Sequence, residues 1–224
     1  MERLFDAHTP NWDAGLYKIC TLLARLLLAY LFFTQLFWKL PPRFGCGTSF
    51  AFPKPAAENY WDSNGSSGLC YWMGLESVFA SQPRKVLVAD MRSAHLPSVG
   101  VNITPVAEIN GWLLDNLFIP QIRVFGWLVF LFEFITFFSL AFGLFSRVGA
   151  LAAIGIIGQL YIGLANVPRP FEWEWTYGAI LALSIIMLGA ASGRFFGLDA
   201  WLRPKLAGAA KRGSRLARIG LLLG

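Results

Sequence analysis

Residues 122–145 read IRVFGWLVFLFEFITFFSLAFGLF, a run in which Arg123 and Glu133 are the only charged residues. A bilayer crossing requires about 20 consecutive, mostly apolar residues in a helix, and this run is long enough. Its apolar residues are continuous and lack the alternation of a half-buried strand. Because hydrocarbon offers no water to the backbone, only a helix satisfies its polar groups there. The stretch therefore predicts a membrane-spanning helix.

Three further stretches have the same character, and we place the four spans at residues 16–38, 122–145, 148–167 and 175–196. The chain has 224 residues, of which 56% are hydrophobic and only 14% are charged, whereas soluble domains carry about a quarter charged residues. The predicted fold class is an all-α integral membrane protein. It consists of a single membrane domain, a four-transmembrane-helix bundle with a long extracytoplasmic loop between helices 1 and 2.

The long loop, residues 39–121, and the basic tail, residues 199–224, flank these spans. Apolar spacing over residues 105–120 predicts an amphipathic helix at the membrane interface, and residues 83–96 are predicted as a second short helix. For the tail two interpretations remain, an amphipathic segment on anionic headgroups or a solvated, mobile end. Because basic residues concentrate on the cytoplasmic side, we expect a multi-pass cell membrane protein with both termini cytoplasmic. The net charge of +6 then indicates contact with the lipid surface, and no nucleic acid partner is predicted.

Two charged side chains lie inside predicted spans, where charges are costly and point to function. Arg25 is in span 1 and Glu133 is in span 2, and the opposite directions of the two spans place them within about 5 Å in depth. We expect them to meet inside the bundle, with Gln159 of span 3 as a further candidate. Two interpretations remain: a polar site that binds a quinone headgroup or relays protons, and a structural ion pair.

Polar residues also gather at both predicted membrane faces. At the outer face we expect Glu174 to pair with Lys39 and close the mouth of the bundle. At the inner face Arg194 and Asp199 are predicted to form a local pair that ends span 4. The whole outer set comprises Gln35, Lys39, Arg123 and Glu174.

The chain has three cysteines, and Cys46 and Cys70 lie in the long loop. They would share an oxidising compartment, which favours a disulfide; catalytic thiol chemistry is the alternative, although no base is adjacent in sequence. Because the cysteines form no CxxC pair and both histidines are isolated, no metal or haem site is predicted. The glycosylation sequons at Asn64 and Asn102 have meaning only in a glycosylating secretory pathway.

Several of these motifs together resemble the DoxX/DoxD-like family of membrane proteins. The family has an arginine in its first helix and a Lys-Leu pair at the end of that helix, as at Arg25 and Lys39-Leu40. Glu133 and the sequence LAFGLFSR at 140–147 are similar to its second helix. The sequence GRFFGLD at 193–199 resembles the family's G-R-x-S-L-D close, with glycine where serine is common. The approach segment INGWL at 109–113 is similar to the DoxD branch.

The resemblance implies a link to quinone-dependent, thiosulfate-type electron transfer, with quinone as a possible ligand and no covalently bound cofactor. It also implies other membrane or periplasmic protein subunits as partners. Three functions follow, and whether the chain is itself an enzyme stays open. The first is a membrane subunit of the thiosulfate:quinone oxidoreductase type. The second is a non-catalytic accessory or scaffold subunit of a larger membrane electron-transfer complex. The third is a small-solute carrier, which the absence of a detectable repeat or broken helix disfavours.

Overall fold

The computed structural model describes residues 11–50, 52, 68–89, 99–167 and 174–224. Within these ranges the chain is mainly helical, with one small antiparallel β-hairpin. In chain order the elements are α1 (Asn11–Leu36), α2 (Leu69–Phe79), β1 (Lys85–Ala89), β2 (Val99–Asn102), α3 (Thr104–Leu113), α4 (Ile122–Phe142), α5 (Ser146–Leu164), α6 (Glu174–Ala190), α7 (Leu198–Lys211) and α8 (Arg215–Leu223).

Three described helices are long and apolar enough to cross a membrane: Trp12–Lys39, Ile122–Phe142 and Ser146–Leu164. The first consists of α1 and the short 3₁₀ turn that follows it. The helix α6 is also apolar and has 17 residues, the lower end of the length that a crossing needs. These four helices coincide with the four predicted apolar runs. The helices α1, α4, α5 and α6 all end before the predicted bounds. The helices α4 and α6 end where Gly143 and Ala191 adopt left-handed backbone conformations, with φ of +61° and +45°.

The distribution of side chains on these helices is apolar outside and partly polar inside. On α4, Leu131 and Phe132 are 45% and 50% exposed, whereas Thr136 and Ser139 are buried. A soluble protein seldom exposes apolar surface on this scale, whereas helices packed in lipid place small and polar side chains at their contacts. The pattern is compatible with direct contact between these helices and a lipid bilayer.

The described residues divide into two compact units, and the first comprises residues 11–34, 133–154 and 182–224. Within it the Ser139 hydroxyl lies 2.8 Å from the carbonyl oxygen of Leu144 and accepts a hydrogen bond from the backbone N–H of Gly149. These bonds tie together the turn between α4 and α5. The helices α7 and α8 form a hairpin, in which the absence of a side chain at Gly220 allows close approach to Leu206.

The second unit contains the described residues of 35–132 and 155–181. Its core includes most of α2. Cys70, in the first turn of that helix, is joined to Cys46 by a disulfide. The predicted helix over residues 83–96 is wrong, because residues 85–89 form β1, which pairs antiparallel with β2. The β-branched residues Val86 and Val101 face each other in this ladder and favour a pleated strand. Residues 90–98 and Asn64 lie outside the described residues.

The predicted helix over residues 105–120 is confirmed as α3, with Pro105 in its first turn, followed by a π-helical turn over Leu114–Phe118. The apolar residues that define its predicted face are exposed, with Ile109 at 61% and Trp112 at 63%. The buried side of α3 is formed by small and polar residues, among them Asn110. The helix therefore faces the opposite way from the one expected of a soluble helix, and it brings the amide side chain of Asn110 into the interior of the unit.

Candidate functional site: the buried Glu76 cluster

A polar interior site lies in the second unit and centres on Glu76 of α2, which is 2% exposed. Its carboxylate oxygen Oε2 accepts a hydrogen bond from Nδ2 of Asn110 on α3 at 3.0 Å and another from Nε2 of Gln159 on α5. Three helices therefore meet at one carboxylate. Hydrogen bonds to a charged group contribute about 1.5–3 kcal/mol each, which offsets part of the cost of burying it.

Two cations complete the group that we call the Glu76 cluster, which comprises Lys39, Glu76, Arg84, Asn110 and Gln159. Arg84 is 2% exposed and lies between α2 and β1; its Nη1 donates to the carbonyl oxygen of Gly163 at 2.5 Å. Lys39, 8% exposed, ends the 3₁₀ turn after α1 and interacts electrostatically with Glu76. A cluster with two cations and one carboxylate favours an additional negative or electron-rich group.

Arg84 retains unused hydrogen-bonding capacity. Its Nε and Nη2 atoms are buried and have no acceptor among the described residues. A buried donor without an acceptor costs about 1–3 kcal/mol, and more when it is charged. Buried polar groups are almost always satisfied, so these two N–H groups leave the cluster with capacity for a further oxygen acceptor.

The local environment tunes both charged groups. Burial raises the pKa of Glu76 to about 7, although the hydrogen bonds from Asn110 and Gln159 and the charges of Arg84 and Lys39 act in the opposite direction. Burial also lowers the pKa of Arg84, and the charge of Glu76 counteracts part of that effect. A carboxyl group with a pKa near neutrality exchanges a proton readily.

The close approach of α2 to α5 depends on Gly163. A β-carbon at this position would overlap the carboxylate of Glu76, and the carbonyl oxygen of the same glycine accepts from Arg84. Gly163 therefore contacts the charged cluster in two ways, through its bare α-carbon and through its carbonyl oxygen.

The predicted outer-face set is divided between different contacts. Glu174 accepts hydrogen bonds from the backbone N–H of Leu87 at 2.6 Å, from Nδ2 of Asn166 at 2.6 Å and from the hydroxyl of Tyr161 at 3.2 Å. These three donors hold the Glu174 carboxylate. Arg123 is exposed, and its guanidinium lies 5.0 Å from the ring centre of Phe50. Gln35 is half-buried at the end of α1.

Arg25 and Glu133 are both buried in the first unit. The Nη1 atom of Arg25 lies 2.9 Å from the carbonyl oxygen of Ser192, and Nη2 lies 3.0 Å from that of Phe196. Within the described part of the chain, Arg25 therefore bonds to carbonyls just beyond α6 and not to Glu133. Helix ends leave carbonyls without partners, and a guanidinium has enough donors to satisfy several of them. Gln159, grouped with this pair in the prediction, bonds to Glu76.

At the inner face Arg194 interacts electrostatically with Asp199, and each of the two side chains also bonds to backbone groups. Asp199 is buried, and its two carboxylate oxygens accept from the backbone N–H groups of Phe145 at 2.7 Å and Ser146 at 3.0 Å. Arg194 donates to the carbonyl oxygen of Gly224. Asp199 thus caps the positive N-terminus of α5.

Three members of the Glu76 cluster were not found by reasoning from the sequence: Glu76, Arg84 and Asn110. The signal for Glu76 was present, because it is a lone acid in the apolar run LCYWMGLESVF at 69–79. Nothing in the spacing of Arg84 or Asn110 indicates that they approach it. The disulfide between Cys46 and Cys70 was predicted and is present, which sets aside the catalytic alternative for these two thiols.

The fold defines a helical protein whose three long apolar helices are compatible with a membrane location. Among the residues described, no group of three or more histidine, cysteine, aspartate or glutamate side chains is arranged to hold a metal ion. Comparisons with protein-family models, with curated proteins and with solved structures found no match for this chain.

Proposed function

We propose that the chain is a four-span membrane subunit linked to quinone-dependent electron transfer, and that the Glu76 cluster binds the quinone headgroup. The proposal takes α1, α4, α5 and α6 as the four crossings. It is supported by their apolar exposed faces and by the motifs that resemble the DoxX/DoxD-like family. The observation that carries it is the buried carboxyl of Glu76 beside two unused donors of Arg84.

The donors and acceptors of the cluster suit a quinone. A quinone carbonyl accepts hydrogen bonds, as the free N–H groups of Arg84 require, and its reduction to a quinol takes up two electrons and two protons. A carboxyl with a pKa near 7 can give or receive one of these protons. The amides of Asn110 and Gln159 serve both states of Glu76, because an amide donates to the carboxylate and, when turned over, accepts from the protonated acid. The electrons come from a reduced sulfur compound of the thiosulfate type through a partner subunit.

Quinone binding is tested with the protein in nanodiscs, by titrating a short-chain quinone and following tryptophan quenching. Trp72, on α2 and partly buried, is four residues from Glu76. We expect Glu76→Ala and Arg84→Met to weaken binding at least tenfold, or about 1.4 kcal/mol. The control is Glu108→Ala, which removes an exposed carboxylate from the neighbouring helix α3. Equal affinity for all four proteins, or quenching no greater than in empty nanodiscs, would rule the proposal out.

A second candidate, an accessory subunit that docks a partner, is favoured by the β-hairpin. Its exposed side chains are largely apolar, including Leu87 at 63% and Val99 at 60%. The edge of a two-stranded sheet has unpaired backbone groups and readily pairs with a strand from another chain. Here we expect Val99→Lys to abolish co-purification with partner subunits while quinone binding is unchanged. Co-purification that survives this change would exclude the hairpin as the docking edge.

A further inference from the structure

The hairpin of α7 and α8 carries an exposed surface that combines cations with large apolar side chains. Residues 198–224 contain six basic residues and one acidic residue, Asp199, which is buried. The exposed surface of the segment is therefore basic. The basic residues are Arg203, Lys205, Lys211, Arg212, Arg215 and Arg218, and all six are exposed.

The two faces of α8 differ sharply. Ala217 and Gly220 are buried, and Gly220 packs on α7. On the other side Leu216 is 81% exposed and Leu222 is 66% exposed. At about 100° per residue, these leucines and Ile219, the α8 stripe, lie on one side of the helix; Arg215 falls within the same arc at its N-terminal end, and Arg218 lies along its edge. An isolated soluble hairpin would gain nothing from this arrangement, whereas a helix lying in the interface buries such a stripe among lipid chains and leaves its cations at the headgroups.

A similar combination occurs on α7. Trp201 is 64% exposed, and the Nζ atom of Lys205 lies 3.3 Å from the centre of its ring. Tryptophan beside a basic side chain is typical of the headgroup level of a membrane, because the ring is amphipathic and the lysine amine reaches toward the phosphate layer.

The α7–α8 hairpin is also bonded to the turn at which the apolar helix α4 ends and α5 begins. Asp199, in the first turn of α7, bonds to Phe145 and Ser146, between the end of α4 and the start of α5. The Arg147 side chain donates to the carbonyl oxygen of Leu222 at 2.9 Å, which ties the far end of α8 to α5. Since α4 and α5 are candidate crossings, these contacts place both ends of the hairpin beside the membrane boundary.

We propose that the exposed face of the α7–α8 hairpin binds the surface of a membrane rich in anionic phospholipid, through Trp201 and the α8 stripe together with the six cations. Each basic residue near an anionic surface strengthens the attraction, and salt screens this contribution. The proposal selects the headgroup-bound interpretation of the tail over the solvated one.

The test uses Leu216→Cys in a Cys20→Ser background, labelled with an environment-sensitive dye, because Cys46 and Cys70 are bonded. The labelled protein is placed in phosphatidylcholine nanodiscs with and without phosphatidylglycerol. We expect blue-shifted emission and strong quenching by lipid-borne quenchers in the anionic discs. Both signals should fall in neutral discs and at high salt.

Two further variants show which cations matter. Arg215→Gln with Arg218→Gln should remove the response to phosphatidylglycerol, whereas Arg43→Gln with Lys85→Gln, two exposed cations in the other unit, should retain it. If the double arginine variant does not purify as a folded protein, the salt titration of the parent decides alone. A dye that stays exposed to water in both lipids, or that is buried equally in both, would overturn the proposal.

Discussion

Nδ2 of Asn110, on α3, donates a hydrogen bond of 3.0 Å to the carboxylate of Glu76, on α2. Both residues are in the long segment between α1 and α4, and both are almost fully buried. The bond brings together two helices of a segment that the sequence presents as a polar loop. Gln159, on α5, is a second donor to the same carboxylate. The protonation state of Glu76 therefore affects the contacts between α2, α3 and α5.

The free energy of unfolding should depend on pH through Glu76, and the direction of this dependence follows from the raised pKa of the carboxyl group. The folded protein holds the proton up to about pH 7, whereas an unfolded glutamate releases it near 4.5. The folded state therefore binds more protons between these values, and the free energy of unfolding should fall as the pH rises from about 4.5 to 7. We expect Glu76→Gln to lack this slope in thermal unfolding measured across the interval. A variant with the parent's slope would show that another group is responsible.

A methyl group at Gly163 should disrupt the cluster. Because a β-carbon there overlaps the Glu76 carboxylate, Gly163→Ala should lower the free energy of unfolding by about 1–3 kcal/mol, as overpacking does. The matched control is Gly155→Ala on the same helix, where a β-carbon meets nothing within 4 Å and alanine favours the helix by up to about 1 kcal/mol. The midpoint of thermal unfolding in detergent should therefore fall for Gly163→Ala and rise for Gly155→Ala. A shift of both midpoints in the same direction would contradict the contact between Gly163 and Glu76.

Removal of the Asp199 carboxylate should destabilise the start of α5. Its oxygens accept two backbone N–H groups, and loss of an N-terminal cap costs about 0.5–2 kcal/mol. We expect Asp199→Ala to lower the unfolding midpoint, and Asp199→Asn to recover part of the loss because its amide oxygen still accepts one bond. Asp115→Ala, at an exposed carboxylate that accepts from Ser77, should have little effect. A midpoint for Asp199→Ala equal to the parent's would exclude the capping role.

In the denatured protein, the disulfide should be what prevents two of the three cysteines from reacting with a thiol reagent. Cys20 is exposed and free, whereas Cys46 and Cys70 are bonded. Maleimide labelling of the denatured protein should add one label without reductant and three after reduction. Opening the link of 24 residues should lower stability by about 3 kcal/mol, as seen by thermal unfolding with and without reductant. Three labels without reductant would show that the bond does not form.

The sequence predicted what depends on local composition and missed what depends on distant contacts. The apolar runs marked α1, α4, α5 and α6 because continuous hydrophobicity needs no partner to be recognised. Residues 85–89 were assigned to a helix because a five-residue strand with one partner strand leaves a weak signal. Arg25 is buried as expected, but its partners are backbone carbonyls. Every residue has a carbonyl group, so the sequence does not indicate which ones Arg25 binds. Glu76 was overlooked because a lone acid is informative only once its surroundings are known to be buried.

Arg25 and Glu133 should act independently, and a double-mutant cycle tests this directly. Arg25→Met removes the guanidinium that reaches the carbonyls of Ser192 and Phe196, so the free energy of unfolding should fall by roughly 2–4 kcal/mol. If the two side chains formed an ion pair, Glu133→Gln would cost far less in the Arg25→Met background than in the parent. The contacts of Arg25 instead predict additivity to within about 0.5 kcal/mol. Arg123→Met, at an exposed arginine, controls for the general effect of the exchange. A coupling energy well above that limit would restore the pair, and with it the proton-relay interpretation of these two buried charges.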